Sequence, residues 1–170
     1  MNKTIVLPEV TRILIDIQAP LIAEARRGIW GGRNDSGLDK EVKDVKMGLR
    51  GEFAVWFSKG GLSYSPPPNV EVQNNPIHGE DLRGNYQIKT CPVGYPPSWV
   101  FQDTDNCMTN PNSMKIAVFC RDLGDINGIE IFGEVTVKTL HQYNCFQQMR
   151  KYIPNKRAVY YDYLREKGLL

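Results

Sequence analysis

The chain predicts an α/β domain built on a mixed sheet. Two long segments of helical period come first, short strand-like runs separated by turns follow, and a further helix-period segment comes near the end. A length of 170 residues suits one domain, 1–170, with a real core, and 41% hydrophobic with 24% charged residues is ordinary globular composition. An N-terminal helical region, 1–39, opens it.

In the first segment, Glu9 to Trp30, Ile13, Ile17, Leu21 and Ala25 recur at helical spacing. Pro20 is expected to kink or divide this helix, and Gly28, Gly31 and Gly32 to end it. A second helix is predicted over Lys40 to Ser58, with Val42, Val45, Leu49, Phe53 and Trp56 as its apolar stripe and Gly60 and Gly61 as its stop. Gly48 and Gly51 lower its propensity, which is tolerable where another backbone must come close.

Pro66, Pro67 and Pro68 mark a rigid link. Short strands are expected at Val70 to Val72, Gly79 to Leu82 and Tyr86 to Cys91. The polar stretch 92–113 reads as a long loop, with a short strand around Trp99, Val100 and Phe101. Met114 to Cys120 is the clearest strand, apolar on both faces and hence central. Ile129 to Val137 is the next, with Ile129, Ile131, Val135 and Val137 alternating inward. A third helix is expected from Thr139 to Tyr152, stopped by Pro154, and a last short element over Val159 to Leu169.

Pro8 and Glu9 interrupt any apolar leader, and no apolar run reaches membrane-spanning length. Cys91, Cys107, Cys120 and Cys145 form no close pair, so reduced thiols and a cytoplasmic location are expected. A net charge of +2 permits a basic patch without demanding one.

Chemistry concentrates in Pro76 to Cys91. A turn centred on Gly84 sets Asp81 across from Gln87, their side chains on one face and roughly 5 Å apart. Lys89 joins that face by strand period, while Tyr86 and Ile88 point to the core. Carboxylate, amide and ammonium together suit metal-assisted attack on a phosphodiester. Asp81 offers a hard oxygen ligand for Mg²⁺, and Gln87 or the Ile88 carbonyl offers another. Lys89 is placed to serve the attacking water or the developing negative oxygen. Glu52, three residues after Leu49 and four before Trp56, borders the apolar stripe of its helix and is a candidate second carboxylate.

These residues resemble the PD-(D/E)XK nuclease superfamily. GLRGEFAVWFSKG, Gly48 to Gly60, is similar to its glutamate helix. GEDLRG, Gly79 to Gly84, is similar to its first acidic motif, and QIKT, Gln87 to Thr90, to its (D/E)-X-K strand. MKIAVFCRD and GIEIFGEVTVKTL resemble the paired strands that lead into a helix, so the likeness spans roughly Lys46 to Leu140. The resemblance implies a restriction-endonuclease-like three-layer sandwich, a central mixed β-sheet flanked by helices. It further implies an endonuclease that hydrolyses DNA with Mg²⁺ or Mn²⁺, with Glu52, Asp81, Gln87 and Lys89 as site residues, DNA as partner with RNA left open, and scope for a homodimer. Two departures stand out: Gln87 replaces the usual acid, as in active members of the family, and Glu80 replaces the proline before Asp81.

Plainer readings remain beside these. Asp81 and Lys89 also fit an exposed cross-strand pair, and Glu52 a solvated helix position. His78, His141 and the cysteines lack zinc-site spacing. Lys43, Lys46 and Arg50 either face a phosphate backbone or form a solvated face with Glu41 and Asp44; Arg150, Lys151, Lys156 and Arg157 form a second basic group. Tyr95, Trp99 and Phe101 either stack on bases or pack beneath their loop. A binding module without catalysis, or a structural protein of a virus or mobile element, is the alternative to an enzyme.

Overall fold

Val45, Leu49, Phe53 and Trp56 form the buried stripe of one long helix in the computed structural model, as their spacing requires. The structure describes residues 2–30, 37–63, 67–68, 86–94, 96–103, 106–149 and 155–170. The first half comprises β1 (Lys3–Ile5), α1 (Glu9–Trp30), α2 (Leu38–Ser58), a 3-10 turn (Gly61–Ser63), β2 (Tyr86–Cys91) and β3 (Ser98–Gln102). The second comprises α3 (Asn106–Thr109), β4 (Ile116–Asp122), β5 (Ile129–Thr136), α4 (Val137–Gln142), β6 (Gln147–Gln148), β7 (Lys156–Tyr160) and α5 (Tyr161–Glu166).

The central sheet has the order β1-β5-β4-β2. β2 runs parallel to β4, while β5 is antiparallel to both β4 and β1, so the sheet is mixed, as expected. β4 is one of the two interior strands, with Ala117, Val118, Phe119 and Cys120 all buried. One face packs on α1 and α2 through Ile88, Val118, Cys120 and Ile129. The other packs through Ala117, Phe119, Phe132 and Val135 on a layer made of α4, α5 and a small antiparallel sheet, β3-β7-β6. The result is an α/β sandwich with helices on both sides of a mixed sheet. No helix among the described residues is long and apolar enough to cross a membrane.

Four local expectations are corrected. On α1 the buried residues are Thr11, Ile15, Ala19, Ile22 and Ala23, whereas Ile13, Ile17 and Leu21 are exposed. The helix is apolar on two sides, and the broader pattern hid which side meets the core. α1 also runs unbroken past Pro20. The third helix covers only Val137–Gln142: Thr136 caps it by accepting from the Thr139 amide, and Asn144, at φ 53°, turns the chain out towards β6. Finally, the rest of the 92–113 stretch is not all loop: beyond the expected strand, which is β3 paired to β7, it carries the single turn α3.

β5 changes sides part-way. Ile129 and Ile131 face the helices α1 and α2, but Phe132, Val135 and the following Val137 belong to the opposite core. The cause is a β-bulge: Phe119 pairs with Gly133 and Cys120 with Ile131, which leaves Phe132 as an extra residue. At the interrupted ladder the Cys120 carbonyl accepts a 2.7 Å hydrogen bond from the Trp99 indole. Trp99 and Phe101 are almost wholly buried and hold β3 against the central sheet, which corrects the base-stacking alternative for both. Tyr95 lies outside the described residues.

α2 meets the sheet through two unusual positions. A Cβ at Gly51 would collide with the Thr90 side chain on β2, so glycine lets helix and strand approach closely. Gly48 has open space around it and no such reason. Next to Gly51, the Arg50 side chain is 5% exposed. Its Nη2 lies 3.1 Å from the Asp122 carboxylate and donates to the Gly124 carbonyl at 2.5 Å, and its Nη1 pairs with Asp125. Lys46, one turn earlier, lies 2.6 Å from Asp16 on α1 and 3.7 Å from Asp125. The β4–β5 turn is thereby fastened to α2, and α2 to α1.

Two outcomes follow for stability. Gly48→Ala is expected to raise it by about 0.5–1 kcal/mol by improving helix propensity, and Gly51→Val to lower it by about 1–3 kcal/mol by overpacking against Thr90; opposite shifts in urea midpoint are the check. Arg50→Ala is expected to cost about 3 kcal/mol, because Asp122 is left without its cation in a mostly buried place; a loss below 1 kcal/mol on the same titration counts against a structural role for the pair.

Candidate functional site

The strand β2 alternates as its sequence requires. Ile88 is buried and Tyr86 half-buried against the α1–α2 core. Gln87 and Lys89, both half-buried, leave from the opposite face. The Lys89 ammonium reaches the second layer and lies 4.8 Å from the centre of the Phe101 ring, an attractive cation–π contact. Gln87 and Lys89 thus share a face, whereas Ile88 offers the site only its backbone. Asp81, Glu80, His78 and the predicted strand and turn of 79–85 lie outside the described residues. β2 pairs with β4 on one edge and has no described partner on the other.

Glu52 sits on α2, the helix that covers the Tyr86, Ile88 and Thr90 side of β2. In the run Leu49 to Trp56 every residue is buried except Glu52, which is half-buried. A carboxylate therefore emerges from a segment otherwise committed to the core, one residue beyond the Gly51–Thr90 contact. The structure brings Gln87 and Lys89 together on one side of β2 and puts the helix bearing Glu52 over the other. Among the described residues no group of three His, Cys, Asp or Glu side chains could hold a metal ion.

Two clusters beside β2 were not anticipated. Where the chain leaves the strand, Pro92 and Val93 join Lys43, Lys46, Met47, Arg50, Asp122 and Asp125 around a shallow cleft of about 380 Å³. The three cations read from helical spacing do face one place. Arg50 and Lys46 are nevertheless engaged by carboxylates there, which cancels much of their positive field. The turn residues Asp122 and Asp125 carried no signal beyond turn chemistry. At the other end of β2, Lys59 follows α2 and pairs with Glu134 at 2.6 Å while lying 4.3 Å from the Tyr86 ring centre. Burial works against its charge, but the hydrogen bonds and charges of Glu134 and Tyr86 outweigh this and raise its pKa. Lys3, which donates to the Ser58 carbonyl at 3.5 Å, is a second cation at this end of α2.

The four cysteines are free and buried. Burial pushes the Cys91 and Cys145 thiols up to about 11 and raises Cys120 further. These are core side chains, held as unreactive thiols. His141 hydrogen-bonds the Cys107 carbonyl at 2.8 Å.

No family model matches the chain, no curated protein matches its sequence, and no solved structure matches its fold.

The thiols supply a direct check. With an aromatic disulfide reagent at pH 8, the folded protein is expected to react at none of its cysteines within minutes, and at all four after denaturation in guanidinium. Rapid native labelling of Cys91 or Cys145 would contradict the burial described.

Proposed function

We propose that this chain is a metal-dependent endonuclease that hydrolyses phosphodiester bonds in DNA. The reading rests on one observation above others: Gln87 and Lys89 leave β2 on a common face while Ile88 anchors the strand in the core, the arrangement a Q-X-K strand needs. Two further facts support it. Glu52 is the half-buried member of a buried helical run, and the edge of β2 away from β4 has no described partner, as an antiparallel strand bearing Asp81 would require.

The candidate ligands are oxygen donors: the carboxylates of Glu52 and Asp81, the Gln87 amide and the Ile88 carbonyl. That set suits Mg²⁺ or Mn²⁺ in kind. A bound cation of this type would lower the pKa of a coordinated water and offset charge on the phosphate. In this scheme Asp81 and Glu52 hold the ion and Gln87 orients the shell. Lys89 holds the attacking water or steadies the developing oxyanion.

A second reading, a nucleic-acid-binding module without catalysis, draws on the same geometry. The helix bearing Glu52 covers one side of β2 and Lys89 projects from the other, and Gln87 brings no negative charge.

One experiment separates the two. Supercoiled plasmid is incubated with native protein, Asp81→Ala and Lys89→Ala across a titration of Mg²⁺ and Mn²⁺. The nuclease reading expects nicking by the native chain only with the ion, none by Asp81→Ala, and a 10²- to 10³-fold lower turnover for Lys89→Ala with DNA affinity kept. Full metal-dependent cleavage by Asp81→Ala refutes the assignment. No cleavage in Mn²⁺ together with DNA binding that survives EDTA favours the binding module.

A further inference from the structure

α1 is apolar on two sides, and only one of them meets the core. Thr11, Ile15, Ala19 and Ile22 are buried beneath it. Val10, Ile13, Leu14, Ile17 and Leu21 are 72%, 52%, 37%, 59% and 48% exposed. They do not scatter: Val10, Leu14, Ile17 and Leu21 follow the four-three-four spacing of a coiled-coil seam, with Ile13 on its flank. Val6, just before the helix, is 59% exposed and extends the strip.

We propose that this strip is where two copies of the chain pair, α1 against α1, antiparallel about a two-fold axis between Leu14 and Ile17. Three observations favour a second copy over a different partner. First, the strip is self-complementary when reversed. Val10 then meets Leu21 of the partner subunit and Leu14 meets Ile17 of the partner subunit, so each layer sets a β-branched side chain against a leucine. Second, the seam from Val10 to Leu21 and its nearest flanks, Ile13, Gln18 and Pro20, carry no charge; the exposed Glu24 follows one turn beyond Leu21, and in an antiparallel pair the two copies of it stand at opposite ends, so like charges do not meet across the seam. The neighbouring charges Glu9, Arg12 and Asp16 lie to one side, and Asp16 is engaged by Lys46. Third, the area is sufficient. The exposed apolar surface is on the order of 500 Å² per subunit, so pairing buries about 1,000 Å² in all, the lower bound of a specific interface. The inference is independent of any catalytic reading.

Sedimentation velocity over a concentration series tests it. The native chain is expected to sediment at twice its 19.4 kDa mass at tens of micromolar and to dissociate on dilution. The double variant Leu14→Glu/Ile17→Glu is expected to be monomeric, with the melting temperature the native chain shows when diluted to monomer, since both side chains face outward. The direction of pairing is read by disulfides. Val10→Cys/Leu21→Cys should cross-link two copies on oxidation, whereas Val10→Cys alone should not, because in the antiparallel pair the two Val10 positions stand far apart. A native monomer at all concentrations overturns the proposal, as does a dimer that persists in the glutamate variant. Efficient cross-linking by Val10→Cys alone overturns the antiparallel arrangement.

Discussion

The seating of α2 on the central sheet is the constraint on which the other features depend. Arg50 reaches into the β4–β5 turn, where Asp122, Gly124 and Asp125 receive it, and Gly51 lets the helix close on Thr90 of β2. A guanidinium so little exposed is stabilising only while its carboxylates stay in place, because an uncompensated charge in that position costs more than the pair contributes. The turn, the helix and the strand are therefore specified together. Lys46 reaches outward to Asp16, but that pair is partly exposed, and α1 is seated on α2 chiefly by the buried Ile15, Ala19, Ile22 and Ala23.

That seating also determines what the candidate site can be. Fixing Gly51 against Thr90 fixes where Glu52 leaves the helix and how far β2 stands from it. Strand alternation then decides that Gln87 and Lys89 turn towards Phe101 and the second layer. The chemistry on this side of the protein is thus a product of one helix–strand contact and one period-two pattern. The acid–base partners of Arg50 and Lys46 make the adjoining cleft nearly neutral, which limits it as a phosphate track by itself.

Much of this was legible in the residues, and the failures have physical causes. α2 was readable because its stripe sits on one face and glycines at φ 106° and 58° stop it. β4 was readable because a strand buried on both sides is apolar without alternation. α1 was located correctly but given the wrong inner face, because two apolar strips on one helix cannot be ranked by periodicity alone. The early end of α4 depends on Asn144 adopting a left-handed conformation, an option that its residue type allows but does not require. Trp99 and Phe101 sat in a segment of loop-like composition, yet pairing between β3 and β7, far apart in sequence, buried them. The face shared by Gln87 and Lys89 followed from alternation, whereas the partners of Arg50 did not, since ion pairs across long sequence separations leave no local pattern.

The extra residue at Phe132 has a consequence for how this fold tolerates change. A strand of uniform alternation serves one interior; β5 serves two, the first half feeding the helical layer and the second the layer of α4 and α5. Removing that single residue would not shorten the strand so much as invert its far end, driving Glu134 inward and turning Val135 out to water. The protein can accept many substitutions along β5, but its residue count there is fixed by geometry.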